Sequence, residues 1–337
     1  MLNDELLMSL CISKAWEFQT LTLPNPAVGA MVVDGSGKIL SLQAHQKSGC
    51  AHAEVLALKE AYYKLSSDTR ILELHTSESL HNFLSKNHKN LFAKCSIYVT
   101  LEPCSLFGKT PPCATLLQTI KPKRIIIGAM ENTKNKGGAN ILKESGIALT
   151  TNVLSHKCHQ LLLPFLLYQK NKKFTLFKIA QRLNGDYKSG NISSEASRIF
   201  THNQRSVCNH LCISGKTLLN DNPLLDSRLA LPPYDNTHQP NITIFTRKTI
   251  NFPSSLKIFQ NKRNITFKTT AQSLSGFSII EGGWELFQSL KQNIDFLLIH
   301  LSPTLQRDFQ TQGFYFQGKI LHTNTIGEDA LLWIQNF

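Results

Sequence analysis

The chain has 337 residues, 42% of them hydrophobic, enough to bury two cores at about 150 residues per domain. Lysine and arginine number 36 against 23 aspartate and glutamate, a formal charge of +13; this attracts phosphates, while the lack of any run of five basic residues gives a nucleic-acid-binding tail no support. The acidic opening MLNDELLM, the interruption of the longest apolar run (161–168) by Pro164, and eight irregularly spaced cysteines argue against a signal peptide, a membrane span and a disulfide framework, so a soluble cytoplasmic protein is expected.

Apolar spacing over 4–18 predicts a first helix, followed by a turn at LPNPAVG and a strand, turn and strand over AMVVDGSGKIL. A helix over 52–63 follows, then 64–94, a polar Lys-, Ser-, Asn- and His-rich segment expected to lie on the surface, partly helical. SIYVTLEP (96–103) predicts a strand, CATLLQTI (113–120) a helix and RIIIGAM (124–130) a buried strand. Strands alternating with helices point to an α/β sandwich. A connecting helix at 155–170 leads to a second α/β passage through KFTLFKIA, HLCIS, NITIFT (241–246), FSIIEGG and FLLIHLSP. The expected division is 1–150, a connector at 151–172, and 173–337.

His52 and Glu54 sit two apart at a predicted helix start. Within a helix they would point about 200° apart; they share a site only at the first turn, where the flanking residue need not be helical. Downstream, LEPCSLFGKTPPC places Cys104 after Pro103 and Cys113 at a helix start. One histidine and two cysteines make three zinc ligands and leave a fourth position for water, the layout of a catalytic zinc. Glu54 is then a proton carrier, as in zinc-dependent nucleobase deaminases. Cys50 and His45 are alternative ligands without that spacing. Cys11, Cys95 and Cys158 are expected to be buried apolar residues, and Cys208 and Cys212 to face one another on a helix without chemistry.

Together, PNPAVG (24–29), HQKSG (45–49), HAE (52–54) and EPCSLFGKTPPC (102–113) resemble the deaminase half of the bifunctional riboflavin-biosynthesis deaminase/reductase family, whose cysteines are separated by a long loop of this kind. Ala51 replaces the family's usual proline, and 64–94 is longer than usual. The resemblance implies a cytidine-deaminase-like three-layer α/β/α sandwich followed by a dihydrofolate-reductase-like α/β domain, with Zn2+ and NADPH as cofactors. It implies that Asn25 and His45 help hold the pyrimidine and its ribose phosphate. An asparagine offers a donor and an acceptor to a base edge, and His45, beside Gln46 and Lys47, could meet a phosphate.

The G-K-T at 215–217 is no P-loop, because His210 stands where that motif needs glycine. SGKTLLNDNPLLDSR (214–228) is instead similar to the family's reductase half. By resemblance, Ser189, Arg205, Leu225, Arg228 and Glu281 contact the sugar-phosphate substrate, and Ala180, Asn191, Thr217, Asp221, Thr246, Gly283, Trp284 and Glu285 the NADPH. Arginine forks suit phosphate oxygens. The Gly282–Gly283 turn between a strand and a helix could admit a pyrophosphate. This half departs from the family at Arg182, at LNG (183–185) and at Asn191, where a tryptophan is usual.

The resemblance thus implies zinc-dependent deamination of a phosphoribosylated diaminopyrimidinone followed by NADPH-dependent reduction of its ribose to ribityl, on a phosphorylated pyrimidine substrate. No nucleic-acid or membrane partner is expected; a homo-oligomer stays open. The alternatives are a deaminase with a degenerate reductase half, a tRNA or nucleoside deaminase, and a basic nucleic-acid-binding protein with structural zinc.

Overall fold

A computed structural model describes residues 3–108, 110–131, 137–188, 190–247, 252–260, 262–271, 274–306 and 315–336. The chain divides into two units, Met1–Phe165 and Leu166–Phe337. Among the described residues no helix is long and apolar enough to cross a membrane.

In the first unit, α1 (Asp4–Trp16) starts where Asn3 accepts a hydrogen bond from the Glu5 N–H, satisfying a first-turn donor. Then come β1 (Gly29–Val33), β2 (Ile39–Ala44), α2 (Ala53–Ser66), α3 (Ser77–Asn87), β3 (Ser96–Leu101), α4 (Cys113–Ile120), β4 (Arg124–Ala129), α5 (Ala139–Glu144) and β5 (Ala148–Thr150). The sheet order is β2-β1-β3-β4-β5. β1 runs antiparallel to β2 and β3, and β3, β4 and β5 are parallel. Ala30, Val32, Ile97, Val99, Ile125 and Ile127 share one buried cluster with α2 and α4. The alternating residues Met31, Tyr98 and Ile126 are also buried, so the sheet is covered on both faces, with α1 packed across β1, β2 and β3. Gly29 permits that packing: a Cβ there would lie 2.1 Å from the Cys11 carbonyl oxygen.

The 64–94 segment is partly helical as expected, but it is not confined to the surface. Besides α3 it forms a 3-10 turn at Thr69–Glu73, and Ile71, Leu80, Leu84 and Phe92 lie in the same core cluster as Cys113, Leu116 and Leu117. Polar composition hid one apolar stripe, Leu80 and Leu84 being spaced by four on one helix face. This segment is part of the core that backs the cysteine-bearing helix.

Helix α6 (Ser155–Asn171) carries the chain across the division and contains Pro164. The second unit holds β6 (Lys173–Arg182), α7 (Glu195–Arg205), β7 (His210–Ser214), α8 (Gly215–Asp221), β8 (Asn241–Phe245), β9 (Ile265–Lys268), β10 (Gly276–Glu281), α9 (Trp284–Leu290), β11 (Phe296–Ser302), β12 (Gly318–Ile326) and β13 (Asp329–Asn336). Its sheet order is β12-β13-β11-β6-β10-β7-β8-β9. The six strands from β11 to β9 are parallel, and β13 and β12 close the other edge antiparallel. Because β10 returns between β6 and β7, their carboxyl ends border a crevice of the kind that binds ligands in open α/β sheets. Cys208 and Cys212 do not share a helix: Cys212 is in β7, Cys208 lies outside the regular elements, and both are buried. Cys11, Cys95 and Cys158 are buried as expected.

Leu84→Ala, at a side chain with 0% exposure, is expected to destabilise the first unit by about 2–5 kcal/mol, measured as a lowered denaturant midpoint. A loosely attached surface segment would instead give a change within roughly 0.5 kcal/mol.

Candidate active sites

The first site is built where two helices begin. His52 precedes α2 with extended backbone (φ −69, ψ 161), so its side chain leaves the chain at an angle a helical residue could not take. Glu54 lies in the first turn and is 4% exposed. Cys113 is the first residue of α4, and Cys104 sits between β3 and α4. The His52 Nδ1 is 3.6 Å from the Cys104 Sγ and 3.4 Å from the Cys113 Sγ. A tetrahedral zinc with Zn–S of about 2.3 Å and Zn–N of about 2.05 Å sets its nitrogen and sulfur ligands roughly 3.6 Å apart, so the three side chains fit zinc. They form the metal-ligand cluster among the described residues. Cys50 and His45 stand outside it.

Neighbouring groups hold the ligands. The Thr110 Oγ1 lies 3.1 Å from the His52 Nε2, leaving Nδ1 to face the sulfurs. The Cys113 N–H donates to the Cys104 Sγ at 3.3 Å. Hydrogen bonding from Cys113, against the effect of burial and with help from His52, lowers the Cys104 thiol to about 4. Burial raises the Glu54 carboxyl above its ordinary value, toward the range of a group that both takes and returns protons. Asn25 and His45 meet, Nδ2 to Nε2 at 3.3 Å. His45 is 3% exposed, with its Nδ1 3.1 Å from the Ala51 carbonyl oxygen, and burial lowers it to about 4. It is therefore a neutral imidazole that brings no charge to a phosphate, its Nδ1–H directed at the Ala51 carbonyl and its Nε2 at the Asn25 amide. Glu102 is buried and accepts from the Glu131 and Ala139 N–H groups, tying the segment after β4 to the cysteine loop.

The second site is a cavity of about 530 Å³ at the carboxyl ends of β6, β7 and β10, within the usual size of a small-molecule or cofactor site. Ala180, Asn191, Thr217, Asp221, Gly283, Glu285, Arg205, Leu225 and Glu281 all line it. Thr246 and Arg228 are absent from its wall. Arg228 is half exposed and ion-pairs with Asp226. Trp284 also lies off the wall, its indole N–H donating to the Gln181 Oε1 at 3.1 Å and its ring packed on Phe287. Ser189 lies outside the described residues. Arg205 and Glu281 do not face a ligand independently. The guanidinium donates to both carboxylate oxygens, at 2.8 and 2.7 Å; burial would raise the Glu281 carboxyl, but Arg205 outweighs it and lowers the group to about 2.

Residues 1–129 match the family model described as the cytidine and deoxycytidylate deaminase zinc-binding region. The riboflavin biosynthesis protein RibD of Aquifex aeolicus (strain VF5) is 27% identical over 333 residues, covering 93% of this chain and 84% of the relative. The protein of that name from Bacillus amyloliquefaciens is 30% identical over 256 residues, 73% of this chain and 60% of the relative. The one from Synechocystis sp. (strain ATCC 27184 / PCC 6803 / Kazusa) is 28% identical over 67% of this chain and 56% of the relative, so the aligned stretch spans little more than half of some relatives. Along nearly its whole length the chain is similar to the riboflavin-biosynthesis deaminase/reductase family. The same fold is seen in the Thermotoga maritima diaminohydroxyphosphoribosylaminopyrimidine deaminase/5-amino-6-(5-phosphoribosylamino)uracil reductase, with a TM-score of 0.64 at 22% identity over 99% of both chains.

Beyond the residues expected of a deaminase/reductase, the structure adds Thr110 and Glu102 at the first site and Lys178, Tyr187, Arg198 and Lys216 on the second cavity's wall. Lys178 had a readable signal, a charged residue set between the apolar Phe177 and Ile179 in the middle of β6. Tyr187 had none: it lies against Gly283, where a Cβ would stand 2.1 Å from its ring.

After chelation, Cys104 should react with iodoacetamide at a nearly constant rate between pH 6 and 8, and slow only as pH falls toward about 4, because its lowered pKa keeps the thiolate present above that value. An ordinary thiol would gain roughly a hundredfold in rate across those two units. Added zinc should protect Cys104; mass spectrometry of the labelled peptide reads both results.

Proposed function

We propose that the first unit deaminates a phosphoribosylated diaminopyrimidinone by hydrolysis and that the second reduces the ribosyl group of the product to ribityl with NADPH. The observation that carries the reading is the His52 Nδ1 set at tetrahedral-ligand distance from two cysteine sulfurs, with a buried Glu54 beside them. Zinc bound by His52, Cys104 and Cys113 supplies Lewis-acid activation of water. Glu54 takes a proton from the attacking water and returns it to the departing amino group, so that ammonia leaves and a ring carbonyl remains. Its raised pKa strengthens it as the base in the first transfer. Asn25 and His45, already joined to each other, present amide and imidazole groups to the polar edge of the substrate.

In the second unit NADPH supplies the hydride. The cavity wall offers it Asn191, Thr217, Asp221 and Glu285 beside the Gly282–Gly283 turn, against which the Tyr187 ring lies. Ser214 caps α8 by accepting from the Thr217 N–H at 3.0 Å, and its hydroxyl lies 2.9 Å from that of Thr217. Leu225 sits on the same wall as the Arg205–Glu281 pair. That pair is mutually neutralised, so the excess positive charge on the wall comes from Lys178, Lys188, Arg198 and Lys216, which suit an anionic sugar phosphate. Glu285 offsets part of it, with Lys216 at 3.3 Å.

Glu54→Gln should retain stoichiometric zinc yet lose about 10²–10⁴-fold in deamination, because the amide keeps the shape without the proton transfer. Ammonia release and NADPH oxidation are followed separately, with the deaminated intermediate supplied for the second assay, whose rate should not change. A variant that binds zinc and deaminates at the parent rate removes Glu54 from the mechanism. A parent chain that releases ammonia without ever oxidising NADPH leaves only the deaminase half standing.

A further inference from the structure

Three successive carbonyl oxygens after α8 are held by arginine side chains. Arg263 donates from Nη1 to the Leu225 oxygen at 2.8 Å and from Nη2 to the Leu224 oxygen. Arg205 donates from its own Nη1 to the Asp226 oxygen at 3.2 Å. A guanidinium presents its N–H groups in a rigid fork, so one Arg263 side chain sets the direction of two peptide units at once. Within this stretch Leu225 has φ of 54°, a left-handed conformation that leucine rarely adopts unless its surroundings hold it there.

The carbonyl clamp determines where the other side of the backbone points. A trans peptide carries its N–H opposite its C=O, so the N–H groups of Leu225, Asp226 and Ser227 turn away from the guanidiniums. None of the three donates a hydrogen bond to another described residue, although these residues are only 3%, 7% and 0% exposed. Leu225 also lines the cavity. Successive N–H groups around a left-handed residue form an anion-binding concavity.

We propose that Arg263 is a positioning residue of the reductase site, fixing the carbonyls of Leu224 and Leu225 so that the N–H groups behind them are presented to the phosphate of the pyrimidine substrate. The inference rests on the reductase reading given above. Arg205 cannot replace it, because the Nε and Nη2 of that side chain are engaged with Glu281. Arg263 itself approaches no ligand; it acts through the backbone of Leu225.

The test uses the full chain with Arg263→Lys, which keeps the charge and loses the fork, and Arg263→Ala. Measured on the deaminated phosphoribosyl pyrimidine, Arg263→Lys should raise the substrate KM about tenfold, as expected for losing one hydrogen bond to a charged group. Its kcat should stay within about twofold, and its NADPH dissociation constant, read by nicotinamide fluorescence, should not move. Hydrogen exchange in the peptide spanning 224–228 should quicken in both variants. Deaminase activity and NADPH binding report that each variant is folded. An unchanged substrate KM, or equal losses of substrate and NADPH affinity, overturns the proposal. If the parent chain neither binds the deaminated pyrimidine by calorimetry nor oxidises NADPH, the reductase reading fails and takes the proposal with it, an outcome distinguished by the defect already being present in the parent.

Discussion

The sulfur of Cys104 is the point on which the first site depends. It accepts from the N–H of Cys113 at the start of α4, a helix with no side-chain cap from Pro112, and so does the work that serine or aspartate does at other helix starts. A helix N-terminus stabilises negative charge, and a thiolate is the form of cysteine that binds zinc. The same interaction therefore ends the loop, starts the helix and prepares a ligand. His52 completes the site because α2 begins one residue later, leaving the histidine in extended backbone while Glu54 is already helical and buried.

The second unit relies on another device, buried charges that satisfy one another instead of a ligand. Arg205 and Glu281 form a two-pronged pair, with side chains 13% and 15% exposed. Such a pair is costly to break from one side, since the remaining charge would be left unpaired. Its spare donor reaches the Asp226 carbonyl, so the pair also anchors a cavity loop. The family departure at Arg182 is matched in the same way by Asp186, which is fully buried and lies 3.2 Å from the Arg182 Nε. The Arg182 replacement thus arrives with its own counter-charge, and the β6 end keeps a defined shape despite it.

The 64–94 segment shows how a stretch of polar composition becomes structural. α3 packs against α2 and α4, and Leu80 and Leu84 join the core cluster that contains Cys113. The His81 Nε2 also lies 3.4 Å from the carbonyl oxygen of Pro112, the residue before that zinc ligand. A segment of polar composition thus stiffens the site from behind without touching the metal.

Much was legible in the sequence because it depended on local spacing. α4 occupies the residues expected of it, the strand pair around 34–38 follows from its turn chemistry, and His52, Glu54, Cys104 and Cys113 were recognisable because zinc chemistry restricts both residue type and separation. The placement of the β12–β13 hairpin beside β11 and the pairing of β10 between β6 and β7 were not readable, since strand order arises from contacts between residues far apart in sequence. The same holds for side chains whose partners are distant. Arg205 reads as a phosphate ligand until Glu281, 76 residues away, is found against it. Arg263, in a stretch without any motif, acquires meaning only when folding brings it to two carbonyls 38 and 39 residues earlier. Residue chemistry and short-range spacing settled which groups could react; the tertiary structure decided which charges are already neutralised and which backbone groups remain for a ligand.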